Sequence, residues 1–261
     1  MQAGGSFEIT ARDVHVWTVG TAVPDDIAGE FHRCLDPAEA ERAAQFRFNR
    51  FGKSFVVTRG VLRYLLGRYL DCNPASLRFE NGSKGKPALA QGIGIQFNVS
   101  HSGDLAAIAV TCGCEIGIDL ERVRSVPEMD QIASRYFDPA EAAEILSLPK
   151  NERGRFFFRS WTRKEAYIKA IGEGLSEPFL RFSPEGLPGG VFEFGTSAGN
   201  DAVPGLWTMH DLEIAPDYLA AVAYRDRRRS LSLFPILAAH LQRIPKQDAD
   251  VVPPASSWQP L

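Results

Sequence analysis

The sequence predicts an α+β fold of two similar α/β halves related by pseudo-twofold symmetry, each a small antiparallel sheet packed with one long helix. Three observations carry this prediction. The pentapeptide DPAEA occurs at Asp36–Ala40 and again at Asp138–Ala142, an offset of 102 residues. A short β-like segment precedes each copy, and a long helix-like pattern follows each. Further β-like segments, separated by turn residues, close each half. DPAEA is a common way to begin a helix, so coincidence competes with duplication. Agreement of three elements in order and offset favours duplication.

In the first half, His15–Val19 is the β-like segment. Asp36 reads as an N-cap, with Pro37 at the first helical position and Glu39 at the third. A helical pattern runs from about Arg50 to Leu70, where Phe51, Phe55, Leu62, Leu66 and Tyr69 recur close to helical spacing. Gln96–Val110 then reads as two apolar runs around a polar turn at Ser100–Asp104. In the second half the same roles fall to Ile116–Leu120, to Asp138 as N-cap, and to a helix over Glu152–Ile171 with a stripe of Phe157, Trp161, Ile168 and Ile171. Three more strands are expected at Gly190–Phe194, Leu206–Ile214 and Asp217–Arg225, divided by SPEGLPGG and SAGNDAVPG. From Asp226 onward the sequence reads as a basic patch, one amphipathic helix and a disordered Pro-rich end. The expected boundaries are therefore 1–114, 115–226 and 227–261.

Composition narrows the function. The 261 residues can bury a sizeable core, as one large domain or two small ones. A net charge of -3 argues against a dedicated nucleic-acid binder. No apolar run reaches the ~20 residues of a membrane span. The opening MQAGGSFEITARD lacks the basic-then-apolar pattern of a signal peptide. Cys34, Cys72, Cys112 and Cys114 show no CxxC spacing and read as structural thiols. A cytoplasmic protein is expected.

The chemistry-bearing residues sit in two motifs. EIGIDLERV, Glu115–Val123, holds Asp119 and Glu121, which share one face if the segment is a strand. RSWTRKEAYIKAIGEGLS, Arg159–Ser176, holds Glu165 and Lys169, one turn apart on a helix and in line with Trp161. Packed together, these elements would converge three carboxylates and a lysine. Two carboxylates on one strand face could simply end a strand in solvent, and Glu165 with Lys169 could be a surface ion pair. Magnesium is the preferred account, because oxygen ligands suit it and phosphate groups complete its octahedron.

Gly172 reads as a helix C-cap, and Gly174 suggests backbone approaching a ligand closely. Ser100, His101 and Ser102 form either a polar turn or an anion-binding turn with His101 facing phosphate; adjacent residues cannot form a hydrolase triad. Lys84, Gly85, Lys86 and Pro87 read as a solvated turn or a phosphate loop. The 102-residue offset carries Asp119 onto Trp17 and Glu165 onto Arg63, so the carboxylates belong to the second half alone. The first half offers cations instead: Arg42, Arg47, Arg50, Arg59, Lys84 and Lys86. One site between unlike halves is the economical inference. Gly52-Lys53-Ser54 is not a P-loop, since Arg47 stands where the first glycine is required. No histidine pairing suits zinc.

FNVSHSGD, GIDLE and WTRKEAYIKAIGEGL, in this order and spacing, resemble the 4'-phosphopantetheinyl transferases, most closely the larger surfactin-synthetase-activating type with two fused halves in one chain. The resemblance runs from about Asp36 to Arg225. It implies transfer of phosphopantetheine from coenzyme A to a serine of an apo acyl or peptidyl carrier protein, with release of adenosine 3',5'-bisphosphate. It also implies magnesium on Asp119, Glu121 and Glu165, with Glu165 as general base and Lys169 on the diphosphate. Asn98, Ser100 and His101 match the coenzyme A segment. Lys84–Pro87 matches the loop around adenine and the 3'-phosphate, and Arg42 a cation for that phosphate. Fused halves make a monomer sufficient. Two other classes compete: a non-catalytic coenzyme A-binding regulator, which has no need of Glu165, and a magnesium-dependent hydrolase of the coenzyme A diphosphate.

Overall fold

The computed structural model describes residues 7–46, 50–82, 85–90, 94–172, 191–196 and 205–242. The first half runs β1 (Asp13–Gly20), α1 (Asp25–Arg33), α2 (Pro37–Gln45), α3 (Arg50–Tyr69), a 3-10 turn at Pro74–Ser76, β2 (Phe79–Asn81), β3 (Pro87–Leu89), β4 (Ile95–Ser102) and β5 (Leu105–Cys112). The second half runs β6 (Ile116–Arg122), α4 (Met129–Tyr136), α5 (Pro139–Ser147), α6 (Lys150–Ile171), β7 (Val191–Thr196), β8 (Gly205–Leu212) and β9 (Tyr218–Tyr224). Then come β10 (Ser230–Ile236) and a short helix α7 (Ala238–Leu241).

The topology repeats. One sheet has the order β10-β1-β5-β4, the other β6-β9-β8-β7. In each, the opening strand pairs antiparallel with the strand that closes the half, β1 with β5 and β6 with β9. Both DPAEA copies begin a helix as expected. Asp36 accepts from Glu39 N–H at 2.9 Å, and Glu39 reciprocates in a capping box; Asp138 accepts from Ala140 N–H at 2.9 Å. Helix α3 buries Val57, Val61, Leu62, Leu65 and Leu66 in the first core, with Trp17, Phe31 and Ile108. Helix α6 lies on β6 and β9, with Ala166, Tyr167 and Ala170 packed against Trp207, Ala221 and Ala223. A third apolar cluster, including Val14, Val16, Ala107, Ala109, Ile118, Leu120 and Val222, joins the two sheets.

Four expectations need correction. Residues 230–236 are a strand rather than part of a helical tail, and β10 adds to the first sheet parallel to β1. The first sheet is therefore mixed. The reason lies in the alternation of SLSLFPI: Leu231 and Leu233 pack into the cluster between the sheets, Phe234 stacks on Trp17 at 4.6 Å, and Pro235 is tolerated because β10 is an edge. The Pro-rich end falls outside the described residues. Second, Ser100–Ser102 belong to β4, and the turn is confined to Gly103–Asp104. Third, Phe51 is 62% exposed and does not join the α3 core stripe. Finally, α1, α4 and the β2–β3 hairpin add to the expected elements.

Candidate active site

The site lies where β4 of the first half meets β6 of the second. The two strands belong to different sheets, and side chains of β4 bond to the backbone of β6. Asn98 Oδ1 accepts from Ile118 N–H at 2.9 Å, Ser100 Oγ from Leu120 N–H at 3.2 Å, and Ser102 Oγ from Arg122 N–H at 3.1 Å. Strand alternation puts residues 98, 100 and 102 on one side, which makes this three-rung seam possible. The same serines hold the acids: Ser100 donates to Asp119 Oδ1 at 2.9 Å, and Ser102 to Glu121 Oε2 at 2.7 Å.

Helix α6 closes the site from the other side. A Cβ on Gly117 would stand 2.1 Å from the Ala166 carbonyl oxygen and 2.3 Å from the Ala170 nitrogen. Only glycine lets β6 and α6 come this close, and that contact brings the strand's carboxylates within reach of the helix. Lys169 Nζ donates to Asp119 Oδ1 at 2.6 Å and to Ser100 Oγ at 3.1 Å. Glu165 sits one turn earlier. Burial, reinforced by the Asp119 carboxylate and opposed by Lys169, pushes its pKa up to about 7. Gly172 ends the helix in the left-handed region, φ 80°, donating to the Ile168 carbonyl. Gly174 lies outside the described residues.

Val99, Ser100, His101, Asp119, Glu121, Trp161, Glu165 and Lys169 line one cavity of about 330 Å³. Asp119 is 4% exposed, and its Oδ2 is buried without a hydrogen-bond partner. An orphaned carboxylate oxygen in a cavity with two more carboxylates suits a hard cation, which takes oxygen donors. The three acids are not preassembled as a metal cluster among the described residues. Lys169 holds Asp119, and Arg124 holds Glu121 Oε2 at 2.8 Å, so a cation would have to displace or rearrange these contacts.

The remaining expected residues divide. His101 lines the cavity and is open to solvent on one side; desolvation of its ring, then the Lys169 ammonium, lower its pKa. Asn98 and Ser100, expected on coenzyme A, both bond to β6 in the seam, and Ser100 also lines the cavity. Lys86, expected on phosphate, donates to the carbonyls of Ile116 at 2.9 Å and Ala170 at 2.8 Å. Gly85 is in the left-handed region (φ 84°), in a turn tied by Gly82 N–H to the Lys86 carbonyl at 2.9 Å, and Pro87 opens β3. Arg42 is exposed on α2 and stacks over Phe55 at 5.4 Å. Arg59 is not a free cation: it pairs with Glu39 and lies over Phe79 at 4.1 Å. Lys84 and Arg47 lie outside the described residues. Sequence reasoning passed over Gly117 and Arg124, and took Ser102 only as part of a turn. The alternation Asn98-x-Ser100-x-Ser102 was the available signal for Ser102, hidden once the segment was read as a turn.

A second cleft, about 720 Å³, lies between α6 and the β8–β9 connection, beside Arg155, Arg159 and Pro216. It contains none of the three acids.

Comparison with known proteins places these features in context. Residues 115–223 match the 4'-phosphopantetheinyl transferase superfamily, and residues 26–113 match the N-terminal region described for 4'-phosphopantetheinyl transferase. The chain is 38% identical over 172 residues to the 4'-phosphopantetheinyl transferase HetI of Nostoc sp. (strain PCC 7120), covering 65% of this chain and 73% of that protein. It is 32% identical over 210 residues to the L-aminoadipate-semialdehyde dehydrogenase-phosphopantetheinyl transferase of Homo sapiens, covering 74% and 68% respectively. It is 29% identical over 153 residues to the 4'-phosphopantetheinyl transferase Sfp of Bacillus subtilis, covering 59% and 67%.

Proposed function

Because the chain belongs to the 4'-phosphopantetheinyl transferase superfamily, we propose that it moves 4'-phosphopantetheine from coenzyme A to a serine hydroxyl of an apo acyl or peptidyl carrier protein. The observation that carries this reading is the single cavity shared by Asp119, Glu121, Glu165 and Lys169, with one buried carboxylate oxygen left uncommitted.

The carrier serine oxygen attacks the phosphorus that bears pantetheine. The bond from that phosphorus to the bridging oxygen breaks, and adenosine 3',5'-bisphosphate leaves with the electron pair. Glu165, which lines the cavity beside Lys169, accepts the serine proton. Lys169 supplies a fixed positive charge beside the diphosphate. Ser100 and Ser102 keep the Asp119 and Glu121 carboxylates oriented from the first half. Asp119, Glu121 and Glu165 would together hold magnesium. A bound divalent ion would neutralise charge on the diphosphate. His101, the exposed Arg42, Gly85 and Pro87 remain the first-half groups proposed for coenzyme A.

The test is to incubate the protein with magnesium, coenzyme A and a panel of apo carriers, then weigh each intact carrier. A gain of one phosphopantetheine, lost in excess chelator, is expected. Release of adenosine bisphosphate without any carrier gaining mass would replace this reading with a hydrolase. Full transfer in chelator would remove the metal role.

A further inference from the structure

Lys86 departs most clearly from its expected part. It comes from the first half, just before β3, yet its ammonium reaches across to the second half. There it donates to Ile116 O on β6 at 2.9 Å and to Ala170 O on α6 at 2.8 Å. Ala170 O belongs to the last turn of α6, where carbonyls lack intrahelical partners and a cation complements the helix dipole. Ile116 adjoins Gly117, the residue at which β6 and α6 touch. The lysine stem also lies against the helix cap, since a Cβ on Gly172 would stand 3.4 Å from Lys86 Cδ. One ammonium thus bridges the two elements that carry Asp119, Glu165 and Lys169, at the point where they cross.

We propose that Lys86 is a positioning residue whose ammonium clamps the crossing of β6 and α6 and so sets the last turn of α6, with Lys169, against Asp119. This rests on the transferase reading of the site. Its geometry differs from a phosphate contact: both short bonds go to main-chain oxygens, and neither goes to the cavity. Burial lowers the ammonium's pKa to about 8, with Glu115 pulling the other way, so the clamp is charged at neutral pH. The catalytic elements of the second half are therefore registered by two devices of the first half, the Asn98–Ser100–Ser102 seam on one side and Lys86 on the other.

Lys86→Met keeps the aliphatic stem and removes both bonds. Transfer by the full-length variant is measured with coenzyme A and with 3'-dephospho-coenzyme A, which lacks the phosphate that a phosphate-binding lysine would contact. Amide exchange over Ile168–Gly172 is followed in the ligand-free protein. A clamp predicts that kcat falls about 10- to 100-fold with both donors alike, as expected when catalytic groups are misplaced by about 1 Å. It also predicts faster exchange in that last turn, with the middle of α6 unaffected. A loss confined to the KM for coenzyme A and absent with the dephospho donor would overturn the proposal, as would unchanged exchange. If Lys86→Met does not fold, Lys86→Gln carries the same expectations. The exchange arm stands without any turnover. Wild-type protein that loads no carrier would defeat the transferase reading while leaving the clamp to be judged by exchange alone.

Discussion

The two halves share a topology and use equivalent positions for opposite ends. Arg63 and Glu165 are related by the 102-residue offset. Arg63 is fully buried and donates to Glu39 at 2.6 Å, Asp36 at 2.7 Å and the carbonyls of Pro74 and Leu77 at 3.0 and 3.1 Å. Its counterpart Glu165 faces a cavity. The glutamate it would have held survives in the second half as Glu141, fully buried, but its cation is now Lys164 at 2.7 Å. Shifting the structural cation by one residue releases the next position for chemistry. The opposite strands show the same division. Trp17, equivalent to Asp119, fills its space by stacking between Phe7 and Phe234 and donating to Tyr69 OH at 2.8 Å. Gly67, equivalent to Lys169, has no room for a side chain: a Cβ there would meet the Cys72 carbonyl oxygen at 2.8 Å. At these equivalent positions the first half packs side chains, while the second lines a cavity with carboxylates and a lysine.

That contrast can be broken most severely at Arg63. Arg63→Met leaves buried Glu39 with Arg59 as its cation and takes the cation from half-buried Asp36, and removing one partner of a buried ion network costs about 3–5 kcal/mol. A large drop in the urea midpoint is expected, while the fraction still folded in native buffer keeps transferring. Unchanged stability would mean that the first half is not built around this network.

The mirror experiment is Glu165→Gln, with Asp119→Ala beside it. Each is expected to lower transfer by about 100- to 1000-fold with an unchanged circular dichroism spectrum. In the metal-free protein Glu165 should titrate near 7, and Glu165→Gln should remove that titration. Stability follows the same titration. A carboxyl with a raised folded pKa stabilises most below its unfolded pKa near 4.5, and that contribution is lost as pH climbs through 7. Measured in chelator at pH 8, Glu165→Gln should therefore be more stable than wild type. About 1–2 kcal/mol is expected, once screening by solvent in the cavity is allowed for. A less stable Gln variant would refute the idea that the second half tolerates strain for function.

The smallest expected effect concerns acid. His210 is 5% exposed, its ring bonded to Tyr224 OH at 2.9 Å, and burial lowers its pKa to about 4. Its neutral ring suits the fold above pH 6.5, and this contribution is lost as pH falls from 6.5 toward 4, when the unfolded chain binds the proton first. His210→Phe should flatten that part of the stability profile by about 1–3 kcal/mol. An unaltered slope would place the acid sensitivity elsewhere.

Much of this could be read along the chain. The duplicated helix start, the long helices and the acids Asp119, Glu121 and Glu165 all follow from local pattern, because capping and periodicity are set by residues three or four apart. The misreadings share one cause. Ser100 and Ser102 looked like turn residues because their partners, the backbone of β6, are about 20 residues away. SLSLFPI looked helical because β1, which makes it a strand, lies some 200 residues earlier in the sequence. The contacts of Lys86 were equally out of reach, because nothing nearby in sequence announces the carbonyl of Ala170, 84 residues on.

The sequence by itself determined the two-half plan, the family and which half holds the acids, since each depends on short-range spacing. Only the tertiary structure decided which polar groups face the cavity and which hold the halves together. A serine, an asparagine or a lysine can serve either end, and the choice is made by whichever unpaired backbone group the fold brings within 3 Å or so.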